Sequence, residues 1–122
     1  MFNECISLTG APKLPATTLA DSCYLKMFRG CTSLTTAPAL PAKTLADSCY
    51  YYMFRNCTSL TEAPALPATT LADSCYSHMF EECNKLSSIS VNFTSWGNTY
   101  TSHWTTDVSS KGIFTCPAVL PK

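Results

Sequence analysis

Charge is scarce in this chain. Only 13% of its 122 residues are Asp, Glu, Lys or Arg, and the eight acidic and eight basic residues cancel to a formal net charge of zero. Proteins that bind nucleic acid usually carry a basic face, so this balance argues against nucleic acid as a partner. No uninterrupted apolar run approaches the ~20 residues that a membrane-spanning helix needs, so we expect no direct membrane insertion in this segment.

Patterns typical of catalysis and metal binding are also missing. The sequence contains no Cys-x-x-Cys, and no His lies near a Cys pair at zinc-finger spacing. The two histidines, His78 and His103, are far apart and have no nucleophile and acid arranged around them as a hydrolytic triad requires. The sequence therefore predicts neither an enzyme nor a protein that binds a metal or another cofactor.

The chain has instead an internal repeat, built around a Met-Phe-x-x-Cys motif. The units are 1–26, 27–52, 53–78 and a partial 79–86. A fixed short period is typical of a solenoid, in which each unit buries its apolar side against neighbouring copies of itself. We therefore divide the chain into a repeat region, 1–86, and a segment, 87–122, that we interpret as a degenerate repeat and C-terminal cap.

Within one unit, residues 45–55 carry the pattern of a short helix. Their apolar residues recur at helical spacing, and Thr44 and Asp47 have the spacing of an N-terminal cap. Asn56 and its equivalent Gly30 are residue types that tolerate the left-handed conformation of a C-cap. The corresponding helices of the other units are 19–29 and 71–81.

The segment that follows each of the first two predicted helices reads Cys-x-Ser-Leu-Thr-x-Ala-Pro. It predicts a short strand, around residues 34–37 in the second unit, because Pro38 restricts the residue before it to an extended conformation. Stacked copies would form a narrow parallel ladder. The sequence thus predicts an α/β repeat solenoid, with short parallel strands on one face, short helices on the other and a C-terminal cap that includes Trp96 and Trp104.

Positions that stay constant between units are expected to be buried, because the core of a repeat protein forms between neighbouring units. The predicted core residues are Leu8, Leu34, Leu60, Cys31, Cys57, Cys49, Cys75, Phe28 and Phe54. Each buried leucine would contribute ~1.5–3 kcal/mol to the stability of the fold.

Seven of the eight cysteines occupy two columns of the repeat, and Cys116 alone lies outside them. Three arrangements remain open. The cysteines are buried thiols that act as small apolar side chains, or they pair within each unit, or they pair between adjacent units along a column. The last is permitted by distance but disfavoured by parallel Cβ vectors. The within-unit pairs would be Cys5–Cys23, Cys31–Cys49, Cys57–Cys75 and Cys83–Cys116.

The motif Phe-x-x-Cys-x-Ser-Leu-Thr, followed by Leu-Pro and the next Phe-x-x-Cys, resembles the BspA-like (Treponema-type) leucine-rich repeats of gut Bacteroidales. Residues 108–117, VSSKGIFTCP, look like the segment that follows the last repeat in such proteins. The resemblance implies a right-handed leucine-rich-repeat coil, outside the bacterial cell or on its surface, in a family associated with adhesion. The family has no fixed ligand motif, so it assigns no site residue here. Because the numbering begins at the repeat's own Met, we expect a piece of a longer protein.

Differences between the units point to a binding face. The variable positions on the polar side of the predicted helix include Tyr and Arg, which are enriched at interface hot spots. These candidates are Lys26, Arg29, Tyr51, Tyr52, Arg55 and His78. The alternative is an ordinary solvated surface. A second candidate surface is the strand side, which includes Thr9, Thr35, Thr36, Thr61 and Glu62.

We therefore expect a non-enzymatic adhesion module that contacts a host or bacterial protein or a glycan. The alternative function is a structural or self-assembling segment of a larger surface protein, which associates end to end through its open core and unpaired ladder edge.

Overall fold

The computed structural model describes residues 2–94, 98–109 and 111–117. Three short regular elements occur in these ranges. They are strand β1 (Ser88–Ser90), helix α1 (Asn98–Thr101) and strand β2 (Ile113–Thr115). β1 and β2 form a two-stranded parallel sheet in which Ile89 pairs with Phe114. In the described ranges no helix is long and apolar enough to cross a membrane.

The predicted α/β repeat solenoid is wrong. The segments 19–29, 45–55 and 71–81 are fully described and none of them is a helix, since each is mostly a run of turns. The predicted strand around residues 34–37 is reduced to one parallel bridge between Gly10 and Thr36. Two three-residue strands and one four-residue helix provide neither the helical face nor the strand face of a leucine-rich-repeat coil.

An alternating pattern of backbone hydrogen bonds replaces the predicted helix. Between residues 22 and 31, each odd-numbered N–H donates to the carbonyl three residues earlier, as Met27 does to Tyr24 at 3.1 Å. Each even-numbered N–H donates to the next unit, as Tyr24 does to Cys49 at 3.0 Å. Every N–H of this segment is paired in one of these two ways.

Every fourth residue of the turn segment is left-handed. The φ angle is 58° at Ser22, 57° at Lys26 and 74° at Gly30. A right-handed helix cannot contain such residues, so no second helical turn forms after them. The equivalent left-handed residues of the next two units are Ser48, Tyr52, Asn56, Ser74, His78 and Glu82. The left-handed conformation predicted for Gly30 and Asn56 is confirmed, although neither residue follows a helix.

The aspartate expected to cap each helix links consecutive units instead. Oδ1 of Asp21 accepts a hydrogen bond from the N–H of Asp47 at 3.2 Å, and Oδ1 of Asp47 accepts one from the N–H of Asp73 at 3.2 Å. The Thr and Asp spacing therefore reflects contacts between units rather than the start of a helix.

Equivalent side chains pack on one another because consecutive units lie in register. Two columns of stacked rings result, with centroids 5.5 to 6.1 Å apart. The columns are Phe2, Phe28, Phe54 and Phe80, and Tyr24, Tyr50 and Tyr76. Both end on Trp104, whose ring lies 5.7 Å from Tyr76 and 6.2 Å from Phe80. Trp104 thus covers the last repeat, while Trp96 lies outside the described residues.

The structure buries almost all of the predicted core. Leu8 is partly buried and packs against the core cluster. The other eight predicted residues have no exposed surface: Leu34, Leu60, Cys31, Cys57, Cys49, Cys75, Phe28 and Phe54. The sequence therefore identified the buried positions of the repeat units, although it did not predict their backbone conformation.

All eight cysteines are free thiols, and none of the predicted within-unit pairs is a disulfide. Three buried thiols donate to a phenylalanine carbonyl one unit earlier, over 2.9 to 3.1 Å. These donors are Cys31, Cys57 and Cys83. Burial raises the pKa of Cys49 to about 12, that of Cys75 to about 11 and that of Cys83 to about 12. Because such thiols stay protonated near neutral pH, they behave as apolar core groups.

Residues 102–107 continue the turn pattern after the repeat has decayed in sequence. The N–H of Tyr76 donates to Tyr100 at 2.9 Å, and that of Phe80 donates to Trp104 at 3.0 Å. His103 is left-handed, with φ 53°, as His78 is one unit earlier. The distance along the chain between these two equivalent positions is one residue shorter than the period of the repeat.

Candidate binding face

Five of the six predicted binding residues meet in one partly exposed cluster. The Tyr52 ring lies at its centre, 4.5 Å from the ring of Tyr51 and 4.5 Å from that of His78. Lys26 Nζ and Arg55 Cζ lie 5.8 and 5.5 Å from the centroid of Tyr52. The sixth residue, Arg29, contacts Glu4 instead of Tyr52, with its Nη1 3.9 Å from Glu4 Oε1.

The register of the units assembles this cluster. Lys26, Tyr52 and His78 occupy the same left-handed position in three consecutive units, so their side chains lie side by side although a full repeat separates each from the next along the chain. His103 occupies that position in the next layer, with its ring stacked on His78 at 5.1 Å. We call the whole set the variable face, because its residues differ between units. Its members are Lys26, Tyr51, Tyr52, Arg55, His78, Glu81, Glu82 and His103.

Two carboxylates hold Arg55 next to the ring of Tyr52. Arg55 Nε donates to Glu81 Oε1 at 2.7 Å, and Nη2 lies 2.9 Å from Glu82 Oε1. The hydrogen bond to Glu81 raises the pKa of Arg55 above its usual value. Because the side chain of Glu81 is only 16% exposed, this pair is better shielded from water than most surface ion pairs.

Glu81 also holds His78. The second carboxylate oxygen, Oε2, lies 3.2 Å from His78 Nδ1. Burial alone acts to raise the pKa of Glu81, but hydrogen bonds from Arg55 and His78 outweigh it and keep that pKa below its usual value. Glu81 is therefore ionised at neutral pH, and each of its oxygens has one partner on the variable face.

The sequence prediction missed Glu81, Glu82 and His103 as members of this face. Glu81 occupies the column of Arg29 and Arg55, so the change of charge sign from Arg55 to Glu81 was the available signal. For His103 the signal was the dipeptide Ser-His, which occurs at 77–78 and again at 102–103. A search at the exact period of the repeat overlooks this second copy because it falls one residue short of that period.

The second candidate surface, on the predicted strand side, is largely used by the fold itself. The N–H and Oγ1 of Thr35 both donate to the carbonyl of Thr9, at 3.0 and 3.2 Å. The carbonyl of Thr61 likewise accepts bonds from the N–H and Oγ of Ser87. Thr36 and Glu62 are exposed.

Within the described ranges, no group of three or more His, Cys, Asp or Glu side chains is placed to hold a metal ion. The arrangement of the variable face can offer hydrogen bonds, charge and aromatic contact area to a partner. Its geometry contains rings stacked on each other and a cation held by two acids, and both kinds of contact occur at recognition surfaces.

No family model, no curated protein and no solved structure matches this chain.

Proposed function

We propose that this chain is a non-enzymatic binding module that contacts its partner through the variable face. One observation carries the proposal. Five residues that were selected because they differ between units converge on one partly exposed cluster centred on Tyr52. Tyr and Arg side chains held rigidly in this way lose little conformational entropy on binding, which favours their use as hot spots.

The stacked rings favour a protein partner over a glycan. A sugar that packs on an aromatic side chain needs an open ring face. In the stack, His78 lies against one side of Tyr52, and Lys26, from the preceding unit, lies over its ring as well. His78 is enclosed between Tyr52 and His103. The stack therefore offers ring edges and polar atoms, which suit the mixed polar and apolar surface of a protein.

The resemblance to BspA-like repeats supports a place for this module outside the bacterial cell or on its surface. The partner would then be a host matrix protein or a protein of another bacterium.

The test is binding of the full chain to arrays of purified extracellular-matrix proteins and of glycans. We expect at least one matrix protein to bind, and the double variant Tyr51→Ala, Tyr52→Ala to lose affinity by tenfold or more, because it removes the centre of the face. Lys43→Ala is the matched control, since Lys43 is exposed and lies outside the variable face. Equal binding of the wild type and the double variant, or no binding to either array, would contradict the proposal.

A second candidate function is end-to-end self-association. It is favoured by exposed apolar side chains in the first and last layers of the stack, where Ile6 is 63% exposed and Ile113 is 71% exposed. Sedimentation over a hundredfold range of protein concentration would detect it. We expect Ile113→Lys to abolish any association, whereas a monomer at every concentration would dismiss this candidate.

A further inference from the structure

We infer that, in the neutral form of the His78 imidazole, Glu81 holds the proton on Nδ1, so that Nε2 of that form is a hydrogen-bond acceptor on the variable face and takes a donor group of the partner protein rather than an anion. The assignment of the proton stands on the geometry of the free chain. The assignment of the ligand group to a partner rests on the proposed function.

The proton position follows from the chemistry of the Glu81 carboxylate. An ionised carboxylate has lone pairs and no proton, so it can only accept a hydrogen bond. Its Oε2 lies 3.2 Å from His78 Nδ1, a distance at which two lone pairs would repel each other. Nδ1 must therefore donate. In a neutral imidazole one nitrogen carries the proton and the other accepts, so Nε2 carries the lone pair.

The stack restricts contact with His78 to the edge of its ring. Tyr52 covers one face with its centroid 4.5 Å away, and His103 covers the other at 5.1 Å. Nδ1 is occupied by Glu81, and no hydrogen bond to Nε2 occurs among the described residues. The His78 side chain is 20% exposed, so its remaining polar atom is the one available to a partner.

The neighbouring cation does not turn this subsite into an anion site. Arg55 Nε donates a hydrogen bond to Glu81, and Nη2 forms an ion pair with Glu82. The charge of Arg55 is therefore balanced by two carboxylates. An anion placed at His78 would approach the lone pair of Nε2 and the charge of Glu81. A hydroxyl, amide or ammonium donor would instead gain a hydrogen bond and meet a favourable potential.

The proton position can be measured on the full chain without any partner. Long-range proton–nitrogen correlation spectra of nitrogen-15-labelled histidine distinguish the two neutral tautomers, at a pH where added base no longer changes the spectra. We expect the proton of His78 on Nδ1 in the wild type. Glu81→Ala removes the acceptor, so we expect the proton to move largely to Nε2, the tautomer preferred by an unconstrained imidazole.

Glu82→Ala is the matched control, because it removes a carboxylate from Arg55 but none from His78. We expect the His78 tautomer to be unchanged in this variant. A wild-type His78 with its proton on Nε2 would overturn the inference even if every variant failed to fold. A tautomer that stays the same in folded Glu81→Ala would overturn it as well.

The class of ligand group is tested with a matrix protein that binds in the array. His78→Lys is suited to this test because Lys26 already occupies the same column with the same left-handed backbone. If the partner supplies a hydrogen-bond donor, His78→Lys should weaken binding at least tenfold. If it supplies an anion, the variant should bind equally well or more tightly, and that result would overturn the ligand assignment. The tautomer is measured without a partner, so failure of the array would reject the proposed function and leave the spectra to decide the proton assignment.

Discussion

Residues 77–82 and 102–107 follow the same backbone pattern with little sequence in common. At equivalent positions they share only the dipeptide Ser-His. Yet the N–H groups of His78, Phe80 and Glu82 donate to the later segment just as their equivalents in the preceding units donate forward. The comparison shows that this pattern depends on paired backbone groups and a left-handed residue at every fourth position, and much less on the identity of the side chains.

The two segments differ in what they do with the core. In the repeats, one Phe and one Tyr per unit build separate columns. In the last layer a single large ring, Trp104, stands at the position of Met79 and contacts the ends of both columns. Phe93 fills the space beside it, 5.9 Å from Tyr76. The core columns thus repeat the same rings from unit to unit, whereas one larger ring ends both of them.

The largest expected effect is that of alkaline pH, which acts on the repeats and hardly on the last layer. Folding raises the pKa of Cys49, Cys75 and Cys83 from 9.0 to about 12, 11 and 12. The unfolded chain therefore loses these protons first. The stability that depends on neutral thiols is fully present below pH 9 and is lost as the pH rises towards 11 and 12. The urea midpoint measured against pH should fall steeply above pH 9.

Cys49→Ala supplies the control for this titration. The variant should be less stable than the wild type at neutral pH but should lose less stability between pH 9 and pH 11, because one titrating group is gone. Equal losses in the two proteins would show that the buried thiols do not cause the alkaline instability.

Replacement of Trp104 tests whether the last layer belongs to the same cooperative unit as the repeats. Trp104→Ala should lower the free energy of unfolding by about 3–5 kcal/mol, the usual cost of removing a buried tryptophan. Phe54→Ala, in the middle of its column, should cost a similar amount. Urea denaturation followed by circular dichroism measures both. A Trp104 variant as stable as the wild type would mean that the repeats fold without this layer.

A smaller contrast is expected within one column of the repeat. Leu60 is fully buried in the third unit, whereas its equivalent Leu8 is only partly buried in the first. Leu60→Ala should destabilise the protein by about 2–5 kcal/mol. Leu8→Ala should cost clearly less, because less of its side chain leaves a packed site. Equal losses in denaturation experiments would show that the first unit is packed as tightly as the third.

The smallest effect is expected at the end of the tyrosine column. The Tyr76 hydroxyl is buried and has no hydrogen-bond partner in the described part of the chain. Tyr76→Phe should therefore be neutral or stabilising, by about 1 kcal/mol or less, because it removes an unsatisfied polar group. Tyr50→Phe, one unit earlier, is the comparison. A loss of stability in Tyr76→Phe larger than that in Tyr50→Phe would indicate that the Tyr76 hydroxyl has a partner.

Much of the candidate site could be predicted from the sequence, but its local structure could not. The variable residues were recognised because they change between units, and Lys26, Tyr52 and His78 fall in one column by simple counting. Their side chains were assigned to the exposed face of a helix. In the structure, pairs of partly or fully exposed residues alternate with pairs of buried ones, such as Tyr51–Tyr52 and Met53–Phe54. This pattern has a period of four residues, and over ten residues it is hardly distinguishable from the 3.6-residue period of a helix.

The amino-acid sequence by itself determined the period, the register of the units, the buried positions and five of the eight residues of the variable face. These properties depend on which side chains are apolar and on their spacing, and both can be counted. Only the tertiary structure decided the backbone conformation. The N–H of Tyr24 could have bonded within a helix, but the carbonyl of Cys49, in the next unit, competes for it. Lys and Tyr have no preference for the left-handed conformation that Lys26 and Tyr52 adopt. Stacking against the next unit, rather than local propensity, therefore favoured the bond between units over the bond within a helix.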